Sequence, residues 1–291
     1  MKKNIIISLT SLFLLTGLSS CSEDAPEPVG VEADSRHEMT FMFSLPQQAA
    51  RVTDTSFESG DRVGLYVVES GSRFETAGNA VNNEGLTFNG SAWKGTRNIY
   101  WNDGIYTAYA YHPYQAEVSS ITDFPFAVQA DQSGAGFGQS DFLHASAQGL
   151  VASGSPVSMT FRHIMSKLTV RLIKGEDFKG EIPEDAVVRI HSTVPDATVD
   201  LEAGIATLNY RSTARTITAH KDATGVYSAI IVPQRLSNRV PFVEVIAGGV
   251  SFLYDSRFLF KPGVNHLVNL VLDRNPEQAK IEIGGEIGGW N

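Results

Sequence analysis

The sequence predicts an all-β protein, two β-sandwich domains in tandem, and three observations carry that prediction. From Met39 onward no stretch of helical length has apolar residues at three-and-four spacing. Short runs alternate with period two instead, the spacing that puts every second side chain on one face of a pleated strand. Glycine-containing turns punctuate those runs, and two loop-like stretches, Gln129 to Gly138 and Gln148 to Pro156, fall near the middle of the chain.

The chain has 291 residues, 42% of them hydrophobic and 10% aromatic, which is ample for packed cores and too apolar for general disorder. Basic residues number 23 against 32 acidic ones, a formal charge of −9, and they are scattered. Nucleic acid is therefore not expected as a partner, because binding it takes a clustered cationic face that displaces phosphate counterions. One cysteine can form neither an internal disulfide nor the ligand cage of a structural zinc site.

Residues 1–20 read as a lipoprotein signal peptide. Lys2 and Lys3 precede an apolar stretch from Ile5 to Leu18, too short and too interrupted by Ser8, Thr10, Ser11, Thr16 and Gly17 to span a bilayer. The stretch ends in Leu18-Ser19-Ser20-Cys21, which resembles the bacterial lipobox, so Cys21 is the expected lipidation site and the first residue after cleavage. Acyl chains contribute about 0.8 kcal/mol of membrane binding per buried CH2. Residues 21–35 then form an acidic, proline-containing tether with almost no large apolar side chain.

The folded part divides at the second loop-like stretch into an N-terminal sandwich, residues 36–153, and a C-terminal one, residues 154–291, each of ordinary domain size. Met39, Phe41, Phe43 and Leu45 form the first alternating face. Ser59-Gly60-Asp61 has turn chemistry and leads into a strand whose Val63, Leu65 and Val67 share a face. Pro113 removes a ladder donor, so the aromatic strand through Tyr111 ends there or lies at an edge. Leu168, Val170 and Leu172 make another face, and Val199 and Ile205 flank a turn at Glu202-Ala203-Gly204. Pro233 ends a strand, Ala247-Gly248-Gly249 joins Val240–Ile246 to Val250–Tyr254 as a tight hairpin, and Val264, His266, Val268, Leu270 and Leu272 alternate.

Seven motifs come in a recognisable order: FESGDRVGLY (Phe57 to Tyr66), NIYW (Asn98 to Trp101), YTAYAYHPY (Tyr106 to Tyr114), QSDFLHA (Gln139 to Ala145), VSMTFRHIMSKLTV (Val157 to Val170), YSAIIVPQ (Tyr227 to Gln234) and FKPG (Phe260 to Gly263). Together they resemble the fimbrillin family, the lipoprotein subunits of Bacteroidales-type surface pili. The resemblance implies two transthyretin-like, Ig-like Greek-key sandwiches. It also implies a lipid anchor in the outer membrane at the cell surface, and assembly with other fimbrial subunits, as homo- or heteropolymer, into a fimbrium used in adhesion to a host or bacterial surface ligand. The acids that follow Cys21 are similar to the export signal of such lipoproteins.

The family assembles by strand complementation. In many of its members a trypsin-like protease cuts after an arginine near the first strand, and a terminal strand from another subunit fills the groove. By that resemblance Arg51 is the candidate processing site, since cutting there removes Met39 to Leu45, whereas cutting at Arg36 leaves that strand in place. The alternative is that Arg51 is an ordinary loop arginine. The candidate donor strand is Lys280 to Asn291, in which Ile281, Ile283, Gly285, Ile287 and Gly289 alternate with Lys280, Glu282, Gly284, Glu286 and Gly288. Equally, this segment is the last strand of its own sandwich, and Trp290 is expected to pack somewhere.

A rival reading is a surface lipoprotein that binds glycans through exposed aromatics at Trp93, Trp101, Tyr106, Tyr109, Tyr111 and Tyr114. Catalysis has little support. The seven histidines are scattered, and HExxH, GxSxG and GxxxxGK are all missing from the sequence. No catalytic residue, metal ligand or cofactor is expected, and His163 and His266 read as packed or edge residues.

Overall fold

The computed structural model describes residues 37–45, 56–273, 280–287 and Trp290. Cys21, the tether, Arg36 and Arg51 lie outside the described residues. In the first half run β1 (Phe41–Ser44), β2 (Arg62–Glu69), β3 (Val81–Phe88), β4 (Trp93–Lys94), β5 (Tyr106–His112), β6 (Phe124–Ala127), a single-turn helix α1 (Gly136–Gln139) and β7 (Leu143–Leu150). Then come β8 (Val157–Thr160), β9 (Arg162–His163), β10 (Ser166–Lys174), β11 (Val187–Thr193), β12 (Asp196–Asp200), β13 (Ile205–Leu208) and β14 (Arg215–Thr218). The last six are β15 (His220–Ala223), β16 (Val226–Ile231), β17 (Gln234–Ala247), β18 (Val250–Phe260), β19 (Asn265–Leu272) and β20 (Lys280–Ile287). The protein is all-β, as the period-two runs require.

The strands form sheets in the orders β4-β3-β2-β5-β7-β9, β1-β8, β13-β12-β6, β14-β11-β17-β18 and β15-β16-β10-β19-β20. Most pairs are antiparallel; β1 with β8 and β10 with β19 are parallel. The turn residues act as their chemistry dictates. Gly248 and Gly249, at φ +57° and +79°, are the two loop residues of the β17–β18 hairpin, where both positions need a left-handed backbone. Pro113 stops β5 at His112, and because β5 lies between β2 and β7 the proline marks an end and not an edge. Pro233 likewise separates β16 from β17.

Two apolar clusters hold the fold together. The first takes Val63, Leu65 and Val67 from β2, as expected, with Met39, Phe41, Trp101, Met159 and Phe161. The second, larger cluster takes Tyr66 and Val68 from the opposite face of the same strand and joins them to Phe124, Phe142, Leu168, Val170 and Phe242. Six successive residues of β2 are buried, so its sheet is covered on both sides. The larger cluster draws on residues from both sides of position 153. The strands that follow the Gln148 to Pro156 stretch, β8 and β9, pair with β1 and β7 of the first half.

Candidate subunit-assembly site

The first strand is attached to β8 along one edge, through its upstream residues to the segment at Ile99 to Trp101, and by its apolar face. β1 lies parallel to β8 in the register Phe41 to Val157 and Ser44 to Thr160. The Val157 amide donates to the Thr40 carbonyl at 2.8 Å, and the Phe161 amide to the Ser44 carbonyl at 2.9 Å. Just upstream, Met39 N–H donates to Ile99 O at 2.7 Å, and Trp101 N–H to His37 O at 2.9 Å. Met39 and Phe41 are buried, Phe43 and Leu45 half-buried, and Met42 faces out at 57% exposure, the alternation read in the sequence. Beneath them lies an aromatic floor. Phe43 meets Trp93 edge-on at 5.1 Å and Phe161 at 5.3 Å, and Phe57 packs on the same two rings at 4.9 and 5.5 Å. Beyond Leu45 a cavity of about 600 Å³ opens between Phe57, His112, Phe137, Asp141 and His163.

The tail occupies an edge of its own sheet. β20 pairs antiparallel with β19, placing Ile281 opposite Leu270, Ile283 opposite Val268 and Ile287 opposite Asn265. The register slips between Leu267 and Val268, where Gly285 takes φ +90°. Gly284 and Gly285 bring no side chain to this edge strand. Trp290 compensates, because it is buried and stacks on the His163 imidazole at 4.0 Å with 13° between the rings. Burying an indole removes roughly 200 Å² from water, on the order of 4–5 kcal/mol. His163 Nδ1 lies 2.9 Å from the Asp141 carboxylate, and Lys167 Nζ lies 6.0 Å from the indole and 5.3 Å from Phe137. The sequence required Trp290 to pack but held no signal for its partner, which lies over a hundred positions away.

The aromatic row expected as an alternative sugar platform is packed inward. Trp101, Tyr106 and Tyr111 are buried, and Trp93, Tyr109 and Tyr114 are half-buried, Tyr114 beneath the Arg62 guanidinium at 4.3 Å. Burial pushes the Tyr66 hydroxyl up to about 12 and raises that of Tyr111, whose O–H donates to Asn83. The glycan reading therefore loses the exposed aromatics on which it rested; β5 runs through the middle of its sheet, with apolar clusters on both faces.

Histidines serve packing. His144 is buried with Nε2 2.8 Å from the Leu201 carbonyl; burial first, then the nearby Arg162 charge, hold its pKa down to about 4, so the ring is neutral. His266 Nε2 accepts the Lys261 amide at 3.0 Å. Among the described residues no group of three or more His, Cys, Asp or Glu side chains is placed to hold a metal ion.

Two crystal structures, each described as a "putative cell adhesion protein", share the fold. One, from Bacteroides ovatus, superposes with a TM-score of 0.72 at 19% identity over 89% of this chain and 99% of that one. The other, from Bacteroides uniformis, superposes with a TM-score of 0.70 at 17% identity over 91% of this chain and all of that one. A curated relative from Bacteroides ovatus, "Putative fimbrium tip subunit Fim1C", is 29% identical over 183 residues, 55% of this chain and 33% of its own length. The chain thus spans about a third of the length of that relative. The fimbrillin-like family profile matches residues 50–290, nearly all of the folded part, and the chain belongs to the fimbrillin-like family.

Proposed function

We propose that this protein is a structural subunit of cell-surface fimbriae that serve adhesion, and that it joins its neighbours by strand complementation. Cleavage after Arg51 releases β1, and the groove over Phe57, Trp93 and Phe161 accepts the tail of another copy through Ile281, Ile283 and Ile287. The observation that carries this reading is the way β1 is held, by one parallel partner strand, an edge-on aromatic contact and, just upstream, two backbone bonds to the segment at Ile99 to Trp101. A removed edge strand leaves both ladder donors and an apolar slot for a successor. Lipidation at Cys21 anchors the chain in the outer membrane before assembly. We read the architecture as two transthyretin-like sandwiches in tandem, residues 36–153 and 154–291. No step in this role requires catalysis, a metal or a cofactor.

The test is limited digestion of the full chain with a trypsin-like protease. The expected result is a new N-terminus at Val52 together with a ladder of polymers. Cleavage at Val52 with no polymer at any concentration rules out self-assembly by this route.

A further inference from the structure

The stack of Trp290 on His163 lies where the groove of β1 ends. β1 runs in the same direction as β8, and its last carbonyl, on Ser44, accepts from the Phe161 amide two residues before His163. Leu45 and His163 then line the same cavity of about 600 Å³, which has ample room for an indole. The tail carries a pattern that fits this path. Setting Ile281, Ile283, Gly285 and Ile287 on Met39, Phe41, Phe43 and Leu45 fills each inward position of β1 with an apolar or small residue. It also carries Trp290 three residues past the level of Leu45, at most roughly 10 Å further along, and Gly288 and Gly289 give the chain the backbone freedom to turn the indole back to the inward side. That is the direction in which β8 leads to β9 and His163.

We propose that the site at His163 is a tryptophan-exchange site, holding the chain's own Trp290 in the free subunit and Trp290 of a second copy in the assembled one. The inference rests on the strand-complementation reading and adds the residue that secures the incoming strand. A subunit that donates its tail vacates the site, and the tail it receives refills it. The buried indole is thereby kept across the exchange, so leaving one's own sheet costs little at this position. His163 offers a flat face, Asp141 fixes the imidazole through Nδ1, and Lys167 holds a cation near both the indole and Phe137. Selection follows from the same geometry: a tail without an aromatic residue three positions beyond its last apolar anchor leaves the stack unmade.

The experiment uses the full chain carrying Trp290→Ala, cut after Arg51 so that the groove of β1 is vacant, and a dye-labelled synthetic peptide of residues 280–291, read by fluorescence anisotropy. The peptide is expected to bind this variant about tenfold more tightly than it binds the wild-type chain, whose own indole competes, and a peptide with Trp290→Ala about tenfold more weakly than the unaltered peptide. Adding His163→Ala to the chain should erase the difference between the two peptides. Equal binding of both peptides, or binding of neither, overturns the proposal. If Trp290→Ala does not fold, the wild-type chain cut after Arg51 serves instead with excess peptide carrying 5-fluorotryptophan. A shifted fluorine resonance that disappears with His163→Ala supports the site, and an unshifted one contradicts it. Ladders that form after cleavage while both peptides bind alike remove the exchange site and leave assembly standing. Trp-dependent binding without ladders does the reverse.

Discussion

The Phe43 ring meets the Trp93 indole edge to face, with centroids 5.1 Å apart and 84° between the planes. Through this contact a four-residue strand with one hydrogen-bonded neighbour is tied to the six-stranded sheet. Because Trp93 also packs on Phe57 and Phe88, the floor keeps contacts of its own that do not involve Phe43.

Phe41, buried beside Met39, should matter far more than its neighbour Met42, which points outward. Phe41→Ala is expected to lower stability by about 3–5 kcal/mol and to speed proteolysis of the first strand, with Met42→Ala within about 0.5 kcal/mol of wild type. Urea denaturation of both variants checks this; equal losses would show that β1 is not seated by its inner face.

Acid should weaken the fold through His144. Its folded pKa of about 4 lies below the ordinary 6.5, so between those values the unfolded chain takes up a proton that the folded one refuses. The stabilisation is complete above pH 6.5 and is lost as pH falls towards 4, on the order of 3 kcal/mol over the window. His144→Gln keeps a donor for the Leu201 carbonyl without titrating. Denaturation midpoints at pH 7.5 and 4.5 should differ less for this variant than for wild type, and an unchanged pH dependence would assign the acid sensitivity elsewhere.

Gly204 takes φ +64° in the turn between β12 and β13, and a Cβ there would strike the ring of His144 and the guanidinium of Arg162. Gly204→Ala combines a left-handed backbone penalty with overpacking, so a loss of at least roughly 2 kcal/mol is expected. Gly249→Ala, with open space around its Cβ, should lose only the backbone part. Calorimetric melting of the two variants distinguishes them.

Gln132 is fully buried, and its amide closes a pair of hydrogen bonds with Ile230, donating to the carbonyl and accepting from the N–H, each at 2.8 Å. It continues the ladder beside β16 past the end of β15, whose pairing reaches only Ser228. Gln132→Leu strands both backbone groups and should cost about 2–4 kcal/mol, with faster hydrogen exchange at Ile230. Unchanged exchange there would mean that the side chain is not the ladder partner.

Much of this fold could be read from local patterns. Alternation at Met39 to Leu45 gave the right face of β1, Gly248-Gly249 gave its hairpin, and Pro113 and Pro233 ended their strands where a lost donor requires. Period two identifies a strand's two faces but not the sheet it joins. For that reason β8 and β9, which follow the Gln148 to Pro156 stretch, were expected in the second half yet pair with the first. Unbroken apolar runs such as Val63 to Val68 signal burial on both sides, which ties the two halves into a shared cluster. Nothing within the loop-like stretch Gln129 to Gly138 singles out Gln132, and Trp290 is expected to pack with no partner named. Both depend on contacts between distant positions, which spacing along a single chain does not encode.

The central claim is that the tail of one copy takes the place of β1 in another. Ser44 and Thr160 define the geometry to trap, since their hydroxyl oxygens lie 3.1 Å apart across the β1–β8 pair. With Ile287 in the place of Leu45, Glu286 falls in the place of Ser44. A chain beginning after Cys21 and carrying both Thr160→Cys and Glu286→Cys is cut after Arg51 and oxidised. The account predicts a disulfide between copies that forms only after cleavage and appears in every rung of the ladder, and a ladder that grows without that disulfide would contradict it.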